Sequence, residues 1–245
     1  MTDEVRFVPG ADVATAAPGQ GVVESDEQRR MELMECLQYF NTLWEERAKA
    51  PPRNDLISML AHGESTKDMP RQEFLGNLIL LIVGGNDTTR NSITGSVYAL
   101  NKFPEQYAKL KANPALIPSL VSETIRWQTP LAYMRRTALE DVEMRGKLIK
   151  KGDKVVMWYV SGNRDDEVIP HADQFDIERE NVRRHLSFGF GIHRCVGNRL
   201  GEMQLRIVWE EILKRFDHIE VMGEPKRVFS SFVKGYETLP VRISS

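Results

Sequence analysis

Cys195, one of two cysteines in the chain, lies in Phe188-Gly189-Phe190-Gly191-Ile192-His193-Arg194-Cys195-Val196-Gly197, among three glycines and with a histidine two positions before the sulfur. A helical pattern follows from Leu200 to Phe216, so the spacing predicts a loop that ends at a helix N-terminus. The unpaired N–H groups and partial positive charge of such an end favour thiolate over thiol. A thiolate is a strong axial ligand for haem iron and donates density that helps to split bound dioxygen. Glycines at 189, 191 and 197 let the backbone turn sharply and approach a flat macrocycle. An inert buried cysteine and a phosphate-binding turn are the competing explanations of the same residues.

Two further groupings carry chemistry. Gly84-Gly85-Asn86-Asp87-Thr88-Thr89 falls in the middle of a helical pattern running from Met69 to Phe103. Adjacent glycines there cost about 1 kcal/mol each relative to alanine, a loss that close approach of a ligand would offset. The acid and the hydroxyls can disturb helical hydrogen bonds and hold water, although a tolerated kink would explain the glycines equally. Glu123 and Arg126, three apart on a helix, face one another as a pair.

In this order the three groupings resemble the cytochrome P450 superfamily: Gly-Gly-x-Asp-Thr-Thr, Glu-x-x-Arg, and the cysteine-ligand signature Phe-Gly-x-Gly-x-His-x-Cys-x-Gly. His193 stands where the family more often has arginine; histidine there resembles many soluble bacterial members. The resemblance implies a mainly α fold with small β-sheets, the C-terminal part of the cytochrome P450 fold. It implies haem b (iron protoporphyrin IX) with the Cys195 thiolate as axial ligand. Phe188, Gly189 and Gly197 would shape the loop, Arg136 and His193 would meet the haem propionates, and Gly84 and Gly85 would open space over the haem. Asp87 and Thr88 would be the catalytic proton carriers to bound dioxygen. Glu123 and Arg126 would be structural, locking a core behind the haem. Arg164, in Asn163-Arg164-Asp165, and Arg179 are candidates to join that pair, and His185 either meets a propionate or caps its turn.

The implied activity is hydroxylation of an unactivated C–H bond with O2, using electrons from NAD(P)H through a ferredoxin reductase and a ferredoxin. Arg183, Arg184, Arg194 and Arg199 are candidates for the face where an acidic ferredoxin would dock. Three segments, 78–87, 126–134 and 185–195, are similar to the bacterial alkane terminal-hydroxylase branch, which implies medium-chain n-alkanes or fatty acids oxidised at the terminal methyl. Phe232 is a candidate substrate contact. Steroid side-chain hydroxylation is the alternative within the family; outside oxygenases the alternative is a haem electron-transfer or sensor protein, which has no use for Asp87 and Thr88.

These groups must be positioned by a chain of 245 residues with 28% charged residues, ordinary globular composition and a net charge of −2. That balance gives no electrostatic case for nucleic acid. No apolar run is long enough for a membrane span, and no signal peptide or disulfide framework is visible, so a cytoplasmic location is expected. Family members are usually much longer, so the resemblance implies a fragment that could be inactive alone. Residues 1–24 are expected to be irregular and 25–245 to form an incomplete haem-binding domain. Helices are expected from about 25 to 50, stopped by Pro51-Pro52, and over 55–60, 69–103 and from Pro104 to about 113. Strands follow Thr129-Pro130 over 133–138, 142–145, 148–149 and 155–160. Beyond the loop, a helix over 196–215 should turn Leu200, Met203, Leu205, Val208, Trp209 and Ile212 inward, before a hairpin over 229–243.

Overall fold

The computed structural model describes residues 23–244 together with Val13 and Gly19. Of the irregular segment expected over 1–24, all but Val13, Gly19, Val23 and Glu24 lies outside the described residues. The rest divides into two compact units, one up to Asp87 and one from Thr88 onward.

In the first unit, α1 (Asp26–Lys49) starts where Ser25 Oγ accepts from the N–H of Gln28, and it stops before Pro51-Pro52. The side chain of Asp55 caps α2 (Leu56–His62) by accepting from the N–H of Ser58 at 2.8 Å, and it also pairs with Arg47. Ile57 of α2 joins Phe74 and Leu78 in a buried cluster, packed by Phe40, Leu43 and Trp44 of α1. The Trp44 and Phe74 rings are 4.4 Å apart. Toward the N-terminus of α1, Met31 and Met34 are 66% and 61% exposed.

Helix α3 (Arg71–Lys102) begins after Pro70 and runs through Gly84-Gly85 without interruption, so the paired glycines do not break it.

The second unit is built on α5 (Ile117–Gln128), buried at every residue from Leu120 to Gln128. Helix α4 (Pro104–Ala112) and a 3-10 turn (Pro114–Leu116) precede it, and α7 (Asn198–Arg215) packs against it. Leu100, Leu110, Leu120, Phe175, Ile177, Leu205 and Trp209 form the core. The Trp209 indole donates to Ser96 Oγ at 2.8 Å, so its one polar atom is satisfied.

The strands form two-stranded antiparallel sheets: β1 (Tyr133–Thr137) with β4 (Lys154–Trp158), β2 (Val142–Met144) with β3 (Lys147–Ile149), β5 (His218–Val221) with β8 (Val241–Ser244), and β6 (Lys226–Arg227) with β7 (Tyr236–Thr238). The expected class, mainly helical with small sheets, is what the chain adopts. Three local expectations are corrected. The strand over 155–160 ends at Trp158, where the short helix α6 (Tyr159–Gly162) begins. The tail is not one hairpin, because β7 and β8 pair with different earlier strands. On α7 only Leu205 and Trp209 are buried, while Leu200 and Met203 are 54% and 43% exposed. Among the described residues no helix is long and apolar enough to cross a membrane.

Candidate active site

The site is braced from below by Arg126, 1% exposed and the most heavily bonded side chain of α5. Nε and Nη2 donate to the two carboxylate oxygens of Glu123, each at 2.7 Å. Nη1 donates to the carbonyls of Asn163 and Ala172, both at 2.7 Å, and Nη2 also donates to that of Gln174 at 2.8 Å. All five N–H donors of the guanidinium are thereby used. Glu123, fully buried, also accepts from the N–H of Asp176 at 2.9 Å and from Arg179 Nε at 3.2 and 3.3 Å. Arg179 thus joins the pair; Arg164 does not. Arg164 donates to the carbonyl of Trp127 at 2.8 Å and lies 3.4 Å from Asp173.

Asn163 carries this network to the cysteine loop. Its carbonyl is held by Arg126, its Oδ1 accepts from the N–H of Leu186 at 2.7 Å, and its Nδ2 donates to Thr129 Oγ1 and Ser187 Oγ, both at 2.9 Å. Ser187 Oγ donates to the carbonyl of Ile125 at 2.7 Å. Residues 186 and 187, where the loop starts, are therefore pinned to the end of α5. Nothing in the spacing around Asn163 marked this role; its signal was only the Asn-Arg-Asp turn.

Within the loop, the N–H of Cys195 donates to the carbonyl of Phe188 at 2.8 Å, and that of Arg194 to Gly191 at 3.0 Å. Gly189 and Gly191 take φ of +66° and +71°, conformations that strain other residues. A Cβ on Gly189 would also lie 3.0 Å from Tyr159 Oη, whereas Gly197, at φ −88°, caps α7 in an ordinary conformation. The loop leaves Cys195 and His193 exposed, with Ile192 and Val196 beside them at 97% and 90%. Phe188 is half-buried against the core.

Arg136 is half-buried on β1, and its Nη1 donates to the carbonyl of Arg135 at 2.8 Å. Among the described residues it pairs with no carboxylate. Phe232 is half-buried; its carbonyl accepts from the N–H of Ala132 and its ring lies 5.5 Å from that of Tyr133. Of the four residues expected on α3, Asp87 is buried, Thr88 is half-buried, and Gly84 and Gly85 are exposed. A Cβ at either glycine would meet no atom within 4 Å.

A family model described as "Cytochrome P450" matches residues 24–238. The chain belongs to the cytochrome P450 family. This P450 chain is 42% identical over 219 residues to linalool 8-monooxygenase of Pseudomonas putida, covering 89% of the chain and 53% of that protein. It is 38% identical over 206 residues to a methyl-branched lipid omega-hydroxylase of Mycobacterium tuberculosis, covering 83% of the chain and 48% of the relative. CYP153D17 of Sphingomonas sp. PAMC 26605, a solved structure, is 48% identical with a TM-score of 0.89, over 99% of this chain and 60% of that one. The P450 chain spans about half the length of the curated relatives it matches.

The family implies a haem held by a cysteine thiolate, and the second unit has residues that fit one. The Cys195 sulfur has no hydrogen-bond partner among the described residues and stands between exposed apolar side chains, as a flat apolar group requires. Arg136 offers a cation with no internal acid, as a carboxylate-bearing edge requires.

His185 is 5% exposed, and its Nδ1 has no hydrogen-bond partner. Its ring lies 5.2 Å from that of Phe188. It is thus a buried support under the loop; no cap by its Nδ1 is formed. Burial first, then Arg194, Arg126 and Arg183, push its pKa down to about 4. The unfolded chain therefore binds more protons than the fold between the ordinary histidine value and about 4. Stability is complete above pH 6.5 and falls as the pH drops through that window, by up to about 3 kcal/mol. Urea titrations at pH 7 and pH 4.5 should show this loss, and His185→Leu should flatten it; an equal acid slope in the variant would assign it elsewhere.

Proposed function

We propose that this P450 chain is the haem-binding part of a monooxygenase that hydroxylates the terminal methyl of medium-chain n-alkanes or fatty acids, with residues 25–245 acting as one domain. The observation that carries the reading is the Cys195 loop: its two left-handed glycines, its pinned start and its exposed sulfur suit a protein that holds a metal from one side. Bound haem supplies the activation of dioxygen and the oxidation of the C–H bond.

The chain's own residues bind, orient and move protons. Cys195 would hold the iron through its thiolate, on a loop where the carbonyl of Phe188 accepts from the Cys195 N–H, Gly189 and Gly191 permit the turns, and Gly197 caps the helix that follows. Arg136 and His193 would bind the haem propionates. Gly84 and Gly85 would leave room beside α3, where a Cβ at either position meets no atom within 4 Å. Asp87 would take a proton from water and Thr88 would hold one at its hydroxyl, as neighbouring proton carriers on one helix. Phe232, tied to β1, offers an apolar ring to the substrate. Arg199 and Arg183 edge a groove of about 460 Å³ between α5 and α7 that also exposes Met203, a surface suited to an acidic ferredoxin.

The aliphatic substrate is supported by the resemblance of segments 78–87, 126–134 and 185–195, and by a relative whose name records omega-hydroxylation of a lipid. Haem-loaded protein with a ferredoxin, its reductase and NADH should convert octane to the terminal alcohol and leave a sterol side chain untouched; sterol hydroxylation without octanol would replace this substrate by the steroid alternative. In the same assay Thr88→Ala should keep consuming NADH while product per NADH falls on the order of 10²-fold, the lower end of what positioned proton transfer contributes. Unchanged coupling would remove Thr88 from the proton path.

A further inference from the structure

Away from the cysteine loop, Lys234 is fixed more firmly than a lysine in a surface connection requires. Its N–H donates to the carbonyl of Pro130 at 2.9 Å, and its carbonyl accepts from Nε2 of the fully buried Gln128 at 2.6 Å. The next residue, Gly235, lies so near Asn91 that a Cβ would be 2.8 Å from its Nδ2. Asn91 Oδ1 in turn accepts from the N–H of Tyr236 at 2.9 Å.

The amine at the end of this side chain shares its surroundings with two arginines. Lys234 Nζ lies 3.3 Å from the carbonyl oxygen of Trp127 and 5.7 Å from its ring centroid. Arg164 converges on the same carbonyl and the same ring, at 2.8 and 5.8 Å. Arg227 lies over Tyr236 at 3.9 Å and over Tyr98 at 5.3 Å. Tyr98 is 6.4 Å from the Trp127 ring and 6.2 Å from that of Tyr236, so a continuous aromatic floor carries all three cations.

Acids are scarce around them. Glu123 is committed to Arg126 and Arg179, and Asp173, paired with Arg164, is 84% exposed. Among the described residues neither Lys234 nor Arg227 pairs with a carboxylate. Gathering like charges at a partly dehydrated place costs free energy unless a counter-charge arrives. Burial first, then Arg164, Arg227 and Arg126, push the amine down to about 7.

We propose that Lys234, Arg164 and Arg227 form a binding site for a small oxyanion, a phosphate or a carboxylate, on the floor made by Tyr98, Trp127 and Tyr236. The guanidinium forks give two-point recognition and the amine a third contact. An anion there restores the charge of Lys234, so at pH 8 binding takes up a proton.

Sulfate is the first probe, because it does not titrate near that pH. Calorimetric titration of the chain with sodium sulfate, in two buffers of different ionisation heat and at ionic strength fixed with chloride, should show saturable binding and proton uptake approaching one per site. Lys234→Met should abolish the uptake. Arg227→Gln, at an exposed strand position, should leave the fold intact and weaken sulfate by at least about tenfold, the loss of one charge-assisted contact. Phosphate tighter than acetate would identify a phosphate-type ligand, and the reverse a carboxylate. A response to sulfate no different from that to chloride overturns the site, as does affinity unchanged in both variants.

Discussion

Arg126→Met should cost the second unit about 3–5 kcal/mol, the range for leaving one partner of a buried ion pair uncompensated. Against a total stability of about 5–15 kcal/mol, that loss should move much of the protein into the insoluble fraction and lower the urea midpoint of what remains. The variant removes the side-chain donor that holds the carbonyls of Asn163 and Ala172, leaves that of Gln174 to Arg179 Nη2 alone, and leaves Glu123 with Arg179 as its ion-pair partner. Arg126→Lys should recover only part of the loss. It keeps the charge, but an ammonium has three donors and no planar fork, and five acceptors converge on this position. Urea unfolding followed by far-ultraviolet circular dichroism measures both. A loss below about 1 kcal/mol in Arg126→Met would refute a structural role for the Glu123–Arg126 pair.

How far this network could be seen in the sequence depends on the length over which each signal acts. Glu123 and Arg126 are three residues apart on one helix, so spacing alone faces them. The ends of α1 and α5 were legible for the same reason: Pro51-Pro52 and Thr129-Pro130 act on their immediate neighbours. Asn163 was not legible, because its partners Thr129 and Ser187 are 34 and 24 positions away, and a lone asparagine carries no record of them. Nor does the sequence separate the two candidates Arg164 and Arg179: both are arginines after the helix, and only the fold turns Arg179 to Glu123 and Arg164 to Trp127. Leu200 and Met203 show the limit of periodicity. A 3.6-residue repeat marks the apolar face of α7 but does not state what, if anything, covers each turn of it. The tail erred because strand pairing across 26 positions, such as His218 with Ser244, leaves no local trace.

Cys195→Ala should have the opposite profile to Arg126→Met: almost no effect on stability and complete loss of the iron signature. The Cys195 sulfur is exposed and has no hydrogen-bond partner among the described residues, so its removal should stay within about 0.5 kcal/mol. The loop would hold its shape without it, because the bond from Leu186 N–H to Asn163 does not involve position 195 and the bond to the carbonyl of Phe188 uses only its backbone N–H. Supplied with haem, reduced and exposed to carbon monoxide, the wild-type chain should give the red-shifted absorption band of a thiolate-ligated haem, and Cys195→Ala should not. The alternative ligand is easily weighed. The other cysteine, Cys36 on α1, has its thiol pushed up by burial, away from the thiolate that iron needs. A band that survives in Cys195→Ala and disappears in Cys36→Ala would overturn the assignment. A band lost in Cys195→Ala with an unchanged urea midpoint would separate iron binding from folding, and would place the first in the loop and the second in the buried network beneath it.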